Sequence, residues 1–257
     1  MRESRCSLFT VLFLMTNLSV NLNKVAMLRN ARPLTIPSVV RMGEISIAAG
    51  AHGLTVHPRP DERHIRRTDV YDIFELLKNH PGIEYNIEGN PFESPFMEII
   101  REVRPDQCTL VPDNPTQNTS DHGWDVVENR DRLKNIIQTL NEIGCRVSLF
   151  MDPDVEQIKR VPELGCSRIE LYTEPYATAY REGTGEESLE IYKQAAQCAQ
   201  KLGLGVNGGH DLSLDNLPLF KDIPNLLEVS IGHALTADAL EMGYGNAVKA
   251  YLEVLKR

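Results

Sequence analysis

Four of the chain's seven histidines, His57, His64, His210 and His233, fall at or just after segments patterned as β-strands, and Glu88 and Glu170 lie at the ends of two more. Imidazole titrates near neutrality and a carboxyl can be tuned toward it by burial, so such a set points to general acid–base chemistry. A single histidine is more often a hydrogen-bonded structural residue. Joint recurrence at one predicted face favours an active site. A metal centre is the first competitor, because histidine and glutamate are common ligands. The H-x-H and H-x-x-x-H spacings that put two ligands on one face are missing, so no metal is expected. Lys24 raises a second competitor, a Schiff-base lysine. Its neighbours Asn21 and Asn23 suit ligand binding, and Lys24 is read as a phosphate or carboxylate contact.

Phosphate recognition has its own pattern. Asn207-Gly208-Gly209-His210 and Ser230-Ile231-Gly232-His233 follow the seventh and eighth strand segments, where many barrels cradle phosphate with backbone N–H groups. Glycine would permit that close approach, although it also serves simple tight turns. Arg29, Arg32, Arg59 and Arg63 add candidate oxyanion contacts, and Thr119 lies in the long loop after the fourth strand segment.

The elements that must position these groups alternate regularly. Strand patterning covers Leu18 to Leu22, Gly53 to His57, Glu84 to Glu88, Gln107 to Val111, Arg146 to Met151, Arg168 to Tyr172, Gly203 to Asn207 and Leu226 to Ile231, none with a proline. Between them apolar residues recur at helical intervals, as in Phe92, Phe96, Ile99, Ile100 and Val103, or Val248, Tyr251, Leu252 and Leu255. Gly144, Gly165 and Gly203 stand where helices end, suiting the left-handed cap. Eight alternations predict a single-domain (β/α)₈ barrel, whose catalytic groups sit at the C-terminal ends of the strands. An open doubly wound sheet would share the alternation. Its glycine fingerprint is absent, because the G-x-G-x-x-G match at Gly203, Gly205 and Gly208 straddles a strand segment and does not follow one.

Composition narrows the partners. A formal net charge of -9 over 257 residues argues against a nucleic-acid surface, so bound phosphate must be met locally by a few placed groups. The five scattered cysteines form no C-x-x-C pair and read as reduced thiols of a cytoplasmic protein. Arg2 and Arg5 precede an apolar run from Leu8 to Met15, but no small-x-small cleavage site follows. The run is far short of the roughly 20 residues a membrane span needs. Residues 1–16 are therefore read as an extension, disordered or from a misassigned start with Met15 opening the protein, and residues 17–257 as the catalytic barrel.

Longer motifs then become recognisable. Ser19-Val20-Asn21-Leu22-Asn23-Lys24-Val25-Ala26 with Leu28-Arg29-Asn30-Ala31-Arg32, and Thr55-Val56-His57-Pro58-Arg59-Pro60-Asp61-Glu62-Arg63-His64-Ile65, resemble the pyridoxine 5′-phosphate synthase family. So do Asn86-Ile87-Glu88, Leu110-Val111-Pro112, Val206 to His210 and Ile231 to Ala234, in the family's order from about Asn17 to the C-terminus. The resemblance implies condensation of 3-amino-2-oxopropyl phosphate with 1-deoxy-D-xylulose 5-phosphate to pyridoxine 5′-phosphate, phosphate and water. By motif position, His57 and Glu88 resemble the family's proton acceptors, His210 its proton donor and Glu170 its transition-state stabiliser. Asn21, Arg32, Asp211, Gly232 and His233 match positions that hold the amino-oxopropyl phosphate. Asn23, Lys24, Arg59, His64 and Thr119 match those that hold the deoxyxylulose phosphate. The resemblance implies small phosphorylated substrates, no metal or organic cofactor, no membrane or nucleic acid, and a homo-oligomer.

Two departures stand out. Some family members carry Asp-His where this chain has Asn23-Lys24, which adds positive charge beside a sugar phosphate, and glycine where it has Asp211. A carboxylate next to His210 is expected to raise that histidine's pKa if the two approach closely. The residues alone leave open another phosphosugar aldolase or isomerase, or a silent sugar-phosphate-binding barrel, since fold does not fix function.

Overall fold

The structure is a computed structural model, and it describes residues 15–256 except 115, 116 and 118. Eight parallel strands close on themselves in sequence order: β1 (Asn17–Asn21), β2 (Gly53–Val56), β3 (Glu84–Gly89), β4 (Gln107–Leu110), β5 (Arg146–Met151), β6 (Arg168–Tyr172), β7 (Gly205–Gly209) and β8 (Leu226–Ile231). The helices, in chain order, are α1 (Asn23–Asn30), α2 (Val39–Ala49), α3 (Arg67–Leu77), α4 (Phe96–Val103), α5 (Val126–Glu142), α6 (Val155–Ile158), α7 (Glu174–Arg181), α8 (Gly185–Lys201), α9 (Leu217–Phe220), α10 (His233–Met242) and α11 (Tyr244–Leu255). The expected barrel is present. Residues 1–14 of the expected extension lie outside the described residues. Thr16 belongs to the fold, because it is buried and its hydroxyl donates to Leu226 O at 2.8 Å.

Each strand sends alternate side chains to opposite faces. In β6, Ile169 and Leu171 join the apolar layer beneath the helices, while Arg168 and Glu170 turn toward the axis. The axis is polar where many barrels stack branched aliphatics. Ser19 Oγ meets Thr55 Oγ1 at 2.6 Å, Asn86 donates to Thr55 at 3.3 Å, and Thr109 donates to Asn86 at 3.1 Å. Toward the N-terminal end, Gln107 donates to Glu228 at 3.3 Å, Arg146 donates to Gln107 at 2.9 Å, and Arg168 pairs with Glu228 at 3.4 Å. A buried polar group costs stability unless partnered, so this column holds because its members bond one another.

Element boundaries follow local chemistry. Gly144, Gly165 and Gly203 take φ of +88°, +87° and +82° at helix ends, as expected. Ser38 and Asp125 cap α2 and α5 by accepting from the backbone N–H groups of Arg41 and Glu128. Phe92 falls before α4, which begins only after Pro95. The seventh strand starts at Gly205, two residues later than its pattern suggested, because Gly203 still closes α8. Gly208 and Gly209 therefore lie inside β7 and do not form a phosphate-cradling turn after it.

Candidate active site

The C-terminal mouth of the barrel opens into a cavity of about 210 Å³, lined by groups at or after the ends of β1, β2, β3, β6, β7 and β8 and from the loop after β4. It gathers Asn21, Asn23, Lys24, His57, Arg59, His64, Glu88, Thr119, Glu170, His210, Asp211, Gly232 and His233. Arg32 is exposed and outside this lining. Ser120, Leu212, Ser230 and Ala234 also line the cavity and were not singled out as individual candidates. Ser120 had a signal in its place beside Thr119 after β4.

Two of the β7 glycines are demanded by neighbours. A Cβ on Gly208 would stand 2.8 Å from the Phe220 ring, and one on Gly209 would overlap Glu170 Oε1. Gly209 is thus the wall against which the Glu170 carboxyl rests. We expect Gly209→Ala to push that carboxyl aside and lower kcat by roughly 10- to 100-fold, more than it alters KM. Unchanged kcat in steady-state assays would mean that Glu170 needs no such wall.

The first half of the site hangs on β1 to β3. Asn21 Oδ1 accepts from Asn23 N at 3.0 Å, and Asn23 Oδ1 accepts from His57 N at 2.9 Å. These short links tie the end of β1 to the end of β2. Asn21 Nδ2 donates to Glu88 Oε2 at 3.4 Å, and His57 Nδ1 stands 3.8 Å from the same oxygen. A small movement would make that pair a direct proton path. Arg59 is anchored by Asp113, which also accepts from Ser120 Oγ at 2.7 Å, and by Gln117 O at 2.6 Å. His64 Nδ1 accepts from Ile65 N at 2.9 Å, so its proton resides on Nε2 when the ring is neutral. Its loop is gripped from below, since Arg29 pairs with Asp69 and donates to His64 O at 3.2 Å. Arg29, read as a possible oxyanion contact, is therefore committed to holding the loop.

Burial dominates the protonation of the set. It pushes Glu88 up to about 8, with Asp113 and Glu228 adding to the rise, and lifts Glu170 well above the usual carboxyl range, with Glu88 adding to that rise. It holds His57 well below its ordinary value, helped by Arg59, and brings His64 down to about 4. His210 is lowered as well. Asp113 and Asp211 do pull it upward, but the loss of water around the ring exceeds both, so the expected net rise from Asp211 is not found. Near neutrality burial therefore favours neutral rings at His57, His64 and His210 and the protonated form of Glu170, while Glu88 is poised to hold or release a proton. Bound phosphate dianions would shift the imidazoles back toward protonation.

Opposite Glu88 lie His210 and α10. The His210 ring packs on Phe150 and Tyr172, with centroids 5.0 and 5.5 Å away. The N-terminus of α10, at Gly232 and His233, borders the cavity and has no side-chain cap among the described residues, so its first backbone N–H groups are not taken up by a capping side chain.

Comparison with known proteins agrees with this geometry. Residues 18–257 match the family model described as pyridoxal phosphate biosynthesis protein PdxJ. A Brucella anthropi protein named pyridoxine 5′-phosphate synthase is 52% identical over 241 residues, 93% of this chain and 98% of its own. A Xanthomonas campestris pv. campestris protein of the same name is 50% identical over 247 residues, covering 93% of this chain and 96% of its own. Solved structures share the fold alone. Mycobacterium tuberculosis tryptophan synthase reaches a TM-score of 0.64 at 10% identity, covering 95% of this chain and 94% of that one. Thermotoga maritima phosphoribosylanthranilate isomerase reaches 0.56 at 11%, covering 94% and 98%. With the family model spanning nearly the whole chain and half of all residues shared with full-length relatives, this protein belongs to the PdxJ family of pyridoxal phosphate biosynthesis enzymes.

Proposed function

We propose that the cavity closes the pyridine ring of pyridoxine 5′-phosphate from 3-amino-2-oxopropyl phosphate and 1-deoxy-D-xylulose 5-phosphate, releasing phosphate and water. The observation that carries this reading is the pairing of two acid–base groups at one wall, His57 and Glu88, with His210 and Glu170 across the same cavity. An amine–ketone condensation followed by eliminations needs protons removed from carbon and delivered to leaving oxygens, often by different groups. Glu88, with its pKa near 8, is a base matched to neutral solution, and His57 stands close enough to pass protons with it. His210 is the donor, charged when the phosphorylated substrates arrive. Glu170, held protonated by burial, hydrogen-bonds an oxygen as charge develops there.

Two anion subsites follow. Lys24, Arg59 and His64, with Asn23 and Thr119 beside them, hold the deoxyxylulose phosphate, and Lys24 supplies the charge that Asp-His members lack there. Asn21, Asp211, Gly232 and His233 hold the amino-oxopropyl phosphate at the start of α10. The cavity gives no support for a part played by Arg32 in this subsite. A cytoplasmic homo-oligomer completes the reading. Among the described residues no helix is long and apolar enough to cross a membrane. The packed helices α1 and α10 expose Met27, Leu28, Leu240 and Met242, an apolar surface suited to another copy.

The test is to incubate the protein with both phosphorylated substrates, without added metal, and follow pyridoxine 5′-phosphate and inorganic phosphate together. Equal appearance of both, only when both substrates are present, is the expected result. A folded protein that binds either phosphate but forms neither product would overturn the reading in favour of another barrel reaction or a silent binder.

A further inference from the structure

His210 and Asp211 take φ of +85° and +55°, two successive non-glycine residues in the left-handed region. Such backbone is unfavourable for L-residues and persists only where surroundings over-determine it. Two buried side chains do so here. Thr173, at the junction of β6 and α7, donates from Oγ1 to Gly209 O at 2.7 Å and contacts His210 O, while its own N–H donates to Gly209 O at 3.0 Å. Asn216, just before α9, donates from Nδ2 to Asp211 O at 3.0 Å and accepts from Ser213 N at 2.9 Å. Its backbone is pinned in turn, because Tyr176 OH donates to Asn216 O at 2.8 Å. Three consecutive carbonyls, those of Gly209, His210 and Asp211, are thus held from two sides by residues that do not line the cavity.

We propose that Thr173 and Asn216 are positioning residues that lock the strained His210–Asp211 turn and so aim the His210 ring between Phe150 and Tyr172 at the reacting atoms. This rests on His210 being the proton donor. The hydroxyl of Thr173 is the critical part, since among the described residues it alone reaches the carbonyl oxygens of both Gly209 and His210. Released from the lock, the turn relaxes toward ordinary backbone, the ring leaves its aromatic seat, and water reaches it. Charged and titratable groups around the ring are Asp113, Asp211, Arg59, His57 and Tyr172.

The experiment compares Thr173→Val, which removes only the hydroxyl donor in a side chain of the same shape, with Thr173→Ser, which keeps it. Steady-state kinetics with both substrates are combined with an NMR titration of the His210 imidazole. Thr173→Val is expected to lower kcat by roughly 10- to 100-fold, with both KM values within about threefold of wild type. His210 should then titrate closer to an ordinary histidine, as its ring gains water. Thr173→Ser should restore both readouts. Wild-type kcat and an unchanged His210 titration in Thr173→Val would overturn the proposal, as would equal damage in the serine variant. If the valine variant does not fold, Asn216→Ala takes its place with the same readouts. His210→Ala separates the two levels: retained turnover there would remove His210 as the donor, while the titration would still decide whether the lock exists.

Discussion

Glu88→Gln is expected to leave a folded protein that binds both phosphates nearly as well as wild type yet turns over roughly 100-fold more slowly or worse. The side chain is buried at the end of β3, and a glutamine there still offers an oxygen to Asn21 Nδ2. What disappears is the capacity to take a proton. Because burial brings this carboxyl up to about 8, the wild-type kcat/KM should climb as pH rises toward 8, as the fraction of carboxylate grows. That ascending limb should be missing from the residual activity of the variant. A limb at the same position in Glu88→Gln would assign the base to another group. An unfolded variant would make the carboxyl structural, a result readable from circular dichroism before any assay.

The site was legible in the sequence because the barrel obeys a positional rule. Strand ends converge at one mouth, so His57, Glu88, His210 and His233, distant in the chain, could be placed together from strand patterning alone. Strands such as β6 were readable because Ile169 and Leu171 alternate with Arg168 and Glu170. The seventh was found but placed two residues early, since Gly205-Val206-Asn207-Gly208-Gly209 offers a single large apolar residue to set a phase. Its glycines answer to Phe220 and Glu170, neighbours in space with no local signature. For the same reason Asp113 beneath Arg59, Asp69 beneath Arg29 and Thr173 behind His210 could not be foreseen. Arg32 is a different case: it is exposed in the segment between α1 and α2, where no strand-end rule applies, and only its charge and the resemblance to the family suggested a role.

Electrostatic expectation fell short at His210 because proximity is visible in sequence and desolvation is not. Asp211 adjoins His210 and acts in the expected direction, but the enclosure that outweighs it comes from distant elements, Phe150 on β5 and Tyr172 on β6 among them. Burial is thus the largest influence on Glu88, Glu170, His57, His64 and His210, and it acts at the expense of stability.

Glu170→Gln exposes that expense. Glu170 is 1% exposed, and its Oε2 has no hydrogen-bond partner among the described residues. Its pKa is raised well above the usual range, first by burial and then by Glu88, so the native state holds a proton that the unfolded chain releases above about 4.5. Where the native state binds more protons, stability falls as pH rises. The contribution is complete below the unfolded value and declines as pH climbs through the window toward the raised native value. A neutral glutamine has no such window. The variant should therefore melt higher relative to wild type at pH 8 than at pH 5, with each ~1 kcal/mol of relief worth roughly 2–4 °C in a chain of this size. Any fixed penalty from burying the amide would appear equally at both pH values, so the difference between them isolates the proton. Turnover should fall by roughly 100-fold in the same variant, because the group that steadies developing charge is altered. Equal Tm offsets at pH 5 and pH 8 would show that Glu170 ionises in the folded protein much as it does in water, and would remove the case for a buried, protonated carboxyl in the site.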